Sequence, residues 1–391
     1  MNSKLQFGRF FLPGPTEVHP EVLAAMLSPM IGHRGTAMRD LLERIDPTLR
    51  LMFGADRPVY VSTSSATGFM ETAIRNLVGK RVLCLVCGAF SERFYDIARA
   101  CGVPADRLDV DWGLPNLPDQ LRDALSQHPA RYDLVTVVHS ETSTGILNPV
   151  ADLAAVVAGF DDVLLAVDGV SSVGGTPIAF DEWGVDFLLT GSQKALALPP
   201  GLAFAVASDR ALARARSVPD RGFYFDLVEF DSRARAFSTT NTPAVSLLYA
   251  LARQLERVEA EGVPERFGRH RRMAERTWEW VEWLADESGE SYRVLAPAGY
   301  RSPTVTAVSL PGATGGVRIV AELAARGITI ATGYGKLKDA AIRIGHMGDH
   351  TPDELETVLA AVTETLGVGG PQPAGAGSAS GGTATGGTSV G

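Results

Sequence analysis

Cysteine is scarce: Cys84, Cys87 and Cys101 are the three in 391 residues. So few sulfurs argue against a disulfide framework and make a reducing, cytoplasmic setting the expectation. Basic charge is in deficit too, with 36 Lys and Arg against 45 Asp and Glu and a net charge of −9. Such a balance suits a nucleic-acid backbone poorly. No apolar run approaches the roughly 18 residues that cross a bilayer. The opening MNSKLQFGRFFLPGPTE lacks the continuous apolar stretch that precedes a secretory cleavage site. Neither membrane nor secretion is expected. From Gly367 onward, charge and aromatic rings are missing altogether. Residues 367–391 therefore read as a disordered Gly/Ala/Ser/Thr-rich tail, because little there can offset the entropy of ordering.

What is present has a globular balance, 45% hydrophobic and 21% charged. At about 150 residues per domain, the length suggests two or three domains. Between Arg57 and Ser208, seven short apolar runs (PVYVS, RVLCLVC, RLDV, YDLVTVV, DVLLAV, VDFLLT, LAFAVA) are separated mostly by helix-length amphipathic stretches. Runs without strict alternation are strands buried on both faces, which predicts a mainly parallel sheet covered by helices. Ligands of such an α/β domain belong beyond the carboxyl ends of its strands. After Pro243 two long helical patterns lead into a mixed region: SYRVLA, TVTAVSL, VRIVAELAARG, ITIA, AIRIG and TPDELETVLAAVTETL. The expected division is an N-terminal segment over 1–20, a large domain over 21–260 and a small α+β domain over 261–366. No internal repeat is visible.

Three features carry chemistry. Lys194 follows the run Val185–Leu189 among small residues, with Pro199, Pro200 and Gly201 closing a turn. Partial burial lowers the basicity of lysine and suits it to Schiff-base chemistry. By position alone it is an ordinary solvated strand-end lysine. Asp168 ends the run DVLLAV, where a carboxylate is costly unless it meets a cation or donors; alone, it reads as a capping aspartate. Ser62–Gly68 (STSSATG) follows a strand and opens a helix, so its hydroxyls and free amides form an anion site. It has neither the Gly-Lys-Ser/Thr of a nucleotide loop nor Gly-x-Gly-x-x-Gly, and an unoccupied N-cap would look the same. Together a phosphate loop, a strand-end acid and a lysine downstream are the needs of pyridoxal phosphate.

The segments FLPGPTEVHPEVLAAM, PMIGHRG, HSETSTGILNPV, VDGVSSVGGTPI, TGSQKALALPPG, TPAVSLLYAL and IRIGHMGD carry a resemblance across Phe11 to Leu366. The chain resembles the class V aminotransferases, and within them the alanine–glyoxylate / serine–pyruvate aminotransferase family. The resemblance implies an aspartate aminotransferase-like fold, pyridoxal 5'-phosphate as cofactor and a homodimer with shared active sites. It implies that Lys194 binds the cofactor covalently and shuttles the proton, and that Asp168 pairs with the ring nitrogen. Thr142 matches the contact to the phenolic oxygen. Ser65, Ala66 and Thr67 match the phosphate loop, and Gln193 the neighbour of the lysine on the phosphate side. Asn241 and Thr242 match a segment that reaches the phosphate from the partner subunit, and Arg343 matches the fork for the substrate carboxylate. The family often stacks tryptophan on the pyridine ring, where this chain has Phe90. The implied reaction moves an amino group from alanine or serine to glyoxylate or another small 2-oxo acid. The alternative is phosphoserine:2-oxoglutarate aminotransferase.

Other residues read more plainly. Cys84 and Cys87 lie three apart on one strand and point to opposite faces, a poor geometry for metal or redox work; no metal site is expected. Cysteine desulfurases of the same fold class need a nucleophilic cysteine in their C-terminal part, and none follows Cys101. His139 reads as a packing histidine, and Trp278, Trp280 and Trp283 as helix packing. The pair His33 and Arg34 stays open: two cations for a substrate phosphate, or a structural pair at a dimer interface.

Overall fold

The computed structural model describes residues 7–312 and 315–369. Its strands, in chain order, are β1 (Tyr60–Ser62), β2 (Val82–Val86), β3 (Ala105–Asp109), β4 (Leu134–Val138), β5 (Ser140–Glu141), β6 (Ile146–Leu147), β7 (Leu164–Asp168), β8 (Phe187–Gly191), β9 (Ala203–Ala207), β10 (Arg293–Val294), β11 (Val305–Ser309), β12 (Ala331–Thr332) and β13 (Ala341–Gly345). The seven apolar runs form one sheet in the order β1-β9-β8-β7-β4-β2-β3. Its neighbours pair in parallel except around β9, which is antiparallel to both β8 and β1.

Five of these strands are buried at every position. Successive side chains still alternate, but between two apolar cores. Leu83, Leu85, Val135, Val137 and Leu165 enter one, with the helices Thr36–Phe53, Val150–Val157 and Val245–Glu261. Val82, Cys84, Val86, Leu134 and Ala166 enter the other, under Ala66–Leu77, Asp209–Ser217 and Leu227–Arg235. Period-two geometry is intact, and burial on both faces hides it from a hydropathy reading. The chain leaves the carboxyl ends of β1, β2, β4, β7 and β8 toward Ser65, Phe90, Thr142, Asp168 and Lys194 respectively.

The second sheet, β10-β11-β13-β12, is wholly antiparallel. Its core includes residues from the helices Val263–Ser288, Gly316–Ala325 and Pro352–Leu366. Trp280 is fully buried there and donates Nε1–H to Thr363 Oγ1 at 2.9 Å, while Trp278 donates to Thr306 Oγ1 at 3.0 Å. The tryptophans are packing residues. Phe11 joins the same core, and its N–H donates to the carbonyl of Thr329 at 2.7 Å. Ile328–Ile330 thus run beside the chain start, and the strand expected at ITIA begins only at Ala331. The β5–β6 hairpin, turning through Gly145 at φ +74°, has no counterpart in the sequence reading.

Cys84 and Cys87 lie in different cores, and burial pushes each thiol up to about 12. No helix among the described residues is long and apolar enough to cross a membrane. The expected tail lies, from residue 370 on, outside the described residues.

Candidate active site

Lys194 sits in a loop that Ser192 closes: its N–H donates to the Leu202 carbonyl and its Oγ to the Pro199 carbonyl, at 2.9 and 2.8 Å. The lysine is 8% exposed, and its Nζ donates to the Pro13 carbonyl at 2.5 Å. An ammonium has three donors, and this one has a single protein acceptor among the described residues. Burial, then the positive field of Arg343, pushes the amine down to about 8, against the pull of Asp168. The N-terminal segment approaches closely: a Cβ on Gly14, itself at φ +107°, would stand 2.4 Å from Nζ. Glycine is required there by backbone conformation and by clearance for the lysine.

Asp168 ends β7 and is 4% exposed. One oxygen accepts the Val170 N–H at 2.7 Å; the other has no protein donor among the described residues. Burial pushes the carboxyl up to about 6, tempered by that N–H. A buried acid with an unspent oxygen calls for a cation. Thr142 is buried as well, its hydroxyl 2.5 Å from that of Ser171. His139 packs edge-on against Trp183 at 5.8 Å, and burial pushes it down to about 4.

Ser65 caps the helix Ala66–Leu77 in extended conformation without a side-chain capping bond. The amides of Ala66 and Thr67 consequently have no protein acceptor among the described residues, which leaves an anion cradle at the positive end of a helix. Gln193 adds a side chain with no protein partner among the described residues, and Gly191 makes room for it, since a Cβ there would lie 2.7 Å from its Oε1. Asn241 and Thr242 line a cleft with Ser62 and Thr63, and the Ala244 N–H donates to Thr63 Oγ1 at 3.0 Å.

Phe90 lies in the first turn of the helix Ala89–Ala100. Lys194 Nζ is 5.8 Å from its ring centre, Arg93 Cζ 4.9 Å and the Tyr334 ring 5.2 Å. A residue without an assigned role in the sequence reading fixes this helix. Glu141 is fully buried, and its carboxylate accepts the N–H groups of Phe90, Ser91 and Ser143 at 3.3, 2.8 and 3.1 Å. It also accepts the hydroxyls of Ser91 and Ser143 at 3.0 and 2.6 Å. An anion at a helix N-terminus is favourable, and donors here replace its lost water. Each orphaned buried donor costs roughly 1–3 kcal/mol, so Glu141→Ala should lose about 3 kcal/mol in urea unfolding and Glu141→Gln distinctly less. Equal midpoints for the wild type and the alanine variant would show the cap to be dispensable.

Arg343 lies on β13, 7% exposed, donating Nε–H to the Thr332 carbonyl and Nη1–H to the Thr142 carbonyl at 2.9 and 3.1 Å. Burial pushes the guanidinium down to about 10. Nη2 has no protein acceptor and no carboxylate pairs with the group among the described residues, so a carboxylate ligand would complete it. Arg34 and His33 are placed differently. Arg34 is exposed and donates to Ser238 Oγ and the carbonyls of Thr239 and Thr240 at 3.1, 2.7 and 3.5 Å. His33 is half-buried beside it.

A buried amine, a buried acid with a free oxygen, an open helix N-terminus and an aromatic ring suit the aldehyde, ring nitrogen, phosphate and ring face of pyridoxal phosphate. On this fold they define a pyridoxal phosphate-dependent enzyme. The chain belongs to the class V aminotransferases: the model of that family, aminotransferase class-V, matches residues 11–340. It is 38% identical to an uncharacterized aminotransferase of Methanocaldococcus jannaschii, with 91% of each chain covered. It is 33% identical to the L-aspartate–glyoxylate aminotransferase of Paracoccus denitrificans, over 87% of this chain and 86% of that one. The solved alanine–glyoxylate aminotransferase of Nostoc sp. superposes with a TM-score of 0.84 at 30% identity, covering 93% of this chain and 98% of that one.

Proposed function

We propose that this aminotransferase moves an amino group from a small amino acid, alanine or serine, to glyoxylate or another small 2-oxo acid. The observation that carries the reading is the buried guanidinium of Arg343, which no carboxylate pairs among the described residues and which is close enough to lower the basicity of Lys194. A substrate carboxylate at Arg343 would bring its amino-bearing carbon toward Lys194. Pyridoxal phosphate, when bound, supplies the electron sink that stabilises negative charge on that carbon. Lys194 would hold the cofactor and move the proton, Asp168 would face the ring nitrogen, and Phe90 would cover the ring. Thr142 would meet the phenolic oxygen. Ser65, the amides of Ala66 and Thr67, and Gln193 would hold the phosphate, with Asn241 and Thr242 contributed across a homodimer. The exposed Leu27, Met30 and Phe223, at 88%, 71% and 92%, would be apolar surface available to such a dimer. The two sheets with their separate cores support a large and a small domain that divide near residue 260. Three free cysteines fit a reducing, cytoplasmic setting. The test is a panel of amino donors against glyoxylate, pyruvate and 2-oxoglutarate; a strict preference for 2-oxoglutarate with phosphoserine would overturn the reading.

Arg34 bears on that alternative. Three of its N–H donors go to the chain just before Asn241, which supports a role through that segment rather than on a substrate phosphate. We expect Arg34→Ala to weaken cofactor retention and to lower kcat/KM for all donors alike, by about tenfold at most for hydrogen bonds in an exposed setting. Selective loss of phosphoserine activity from a substantial wild-type rate would move the protein to the phosphoserine:2-oxoglutarate reading.

A further inference from the structure

Tyr334 has no part in the roles above, yet it stands between two of them. Its ring centre lies 5.5 Å from Arg343 Cζ on one side and 5.2 Å from the Phe90 ring, tilted by 38°, on the other. Phe90 in turn lies under Lys194 Nζ at 5.8 Å. A substrate that spans Arg343 and Lys194 must pass beside these two rings.

The ring is held by its backbone. The Gly333 N–H donates to the Ala341 carbonyl at 2.7 Å, and the Leu337 N–H to the Tyr334 carbonyl at 3.0 Å. A Cβ at Gly333 would fall 1.9 Å from the Leu337 oxygen, so the turn closes only with glycine there. Gly335 takes φ +53° against Trp112, and the Lys336 ammonium lies 4.5 Å over the Trp112 ring. Trp112 thus braces the turn from outside. The Tyr334 hydroxyl has no protein partner among the described residues, and the side chain is 37% exposed. Its bulk borders the space next to the substrate anchor.

We infer that Tyr334 is a specificity-determining residue: its ring limits the side chain of the amino donor and excludes branched and aromatic amino acids. The inference rests on the proposed placement of the substrate carboxylate at Arg343. The test compares alanine and leucine, each with glyoxylate, in wild type, Tyr334→Ala, Tyr334→Leu and Tyr334→Phe. Dissociation constants for both donors come from titrating the absorbance of the bound cofactor. Pocket space of one methylene is worth roughly tenfold or more in discrimination. Tyr334→Ala should therefore raise the leucine-to-alanine ratio of kcat/KM by about tenfold, with Tyr334→Leu between and Tyr334→Phe within about twofold of wild type. The ratio of dissociation constants should move the same way. An unchanged ratio in both smaller variants, or a Phe variant that behaves like Ala, overturns the inference. Failure of the functional reading shows separately: alanine and serine would then be inert in the wild type, or Arg343→Lys would leave the KM for every donor unchanged.

Discussion

Lys194→Ala should bind pyridoxal phosphate without a covalent link and show no turnover above background. The amine is poised for this work: 8% exposed, bonded to one carbonyl, and pushed down to about 8, so that it is partly neutral near physiological pH. Borohydride treatment should add the cofactor's mass to the wild type and none to the variant. Retention of more than a few per cent of wild-type turnover would sink the assignment. The same displacement has a cost in the fold. An amine below its ordinary 10.5 binds its proton less tightly in the folded chain than in the unfolded one. The penalty is full below about pH 8 and fades as pH rises toward 10.5. Lys194→Met, which keeps the buried stem, should therefore raise the stability of the cofactor-free protein at pH 7 and lose that advantage by pH 10. Urea unfolding at the two values of pH reads this directly.

The positions of Lys194 and Asp168 at or just past strand ends were legible in the sequence because they are local facts. Each follows an apolar run at a fixed short offset, and each run is a strand of the sheet. The same locality made the sheet readable: Leu83 and Cys84 go to opposite cores, yet both are apolar, and an unbroken run of this kind has only a doubly covered sheet to occupy. What stayed hidden are pairings over long separations. The HSETSTG segment offers several polar residues, and nothing in it says that Glu141 captures the amides of Phe90 and Ser91, 51 and 50 residues away. The Pro13 carbonyl meets Lys194 across 181 positions, and Arg34 meets Thr239 across 205. The place of Tyr334 near both Phe90 and Arg343 comes from the turn after β12 meeting the helix Ala89–Ala100. Side chains whose partners are distant carry no periodic or spacing signal.

Asp168→Asn should cost about 10²-fold or more in turnover, the scale of removing a fixed electrostatic stabiliser. The substitution keeps the volume and an oxygen for the Val170 N–H, so the loop after β7 has no reason to move. What it removes is charge. In the wild type, burial pushes the carboxyl up to about 6, and its second oxygen has no protein donor among the described residues. A cation on the ligand would offset the cost of ionisation there and would in return stay protonated. The sign follows: a folded carboxyl above its ordinary 3.8 disfavours the cofactor-free fold once ionised, fully so above about pH 6. Asp168→Asn should thus stabilise the cofactor-free protein at pH 8, leave it unchanged near pH 3, and weaken cofactor affinity at pH 8. Those readouts need no catalysis. In single-turnover kinetics the loss should fall on removal of the proton from the donor's α-carbon, with little change in donor binding. An unchanged rate for that step would count decisively against Asp168, and an unchanged cofactor affinity would show that its free oxygen faces something other than the ring nitrogen.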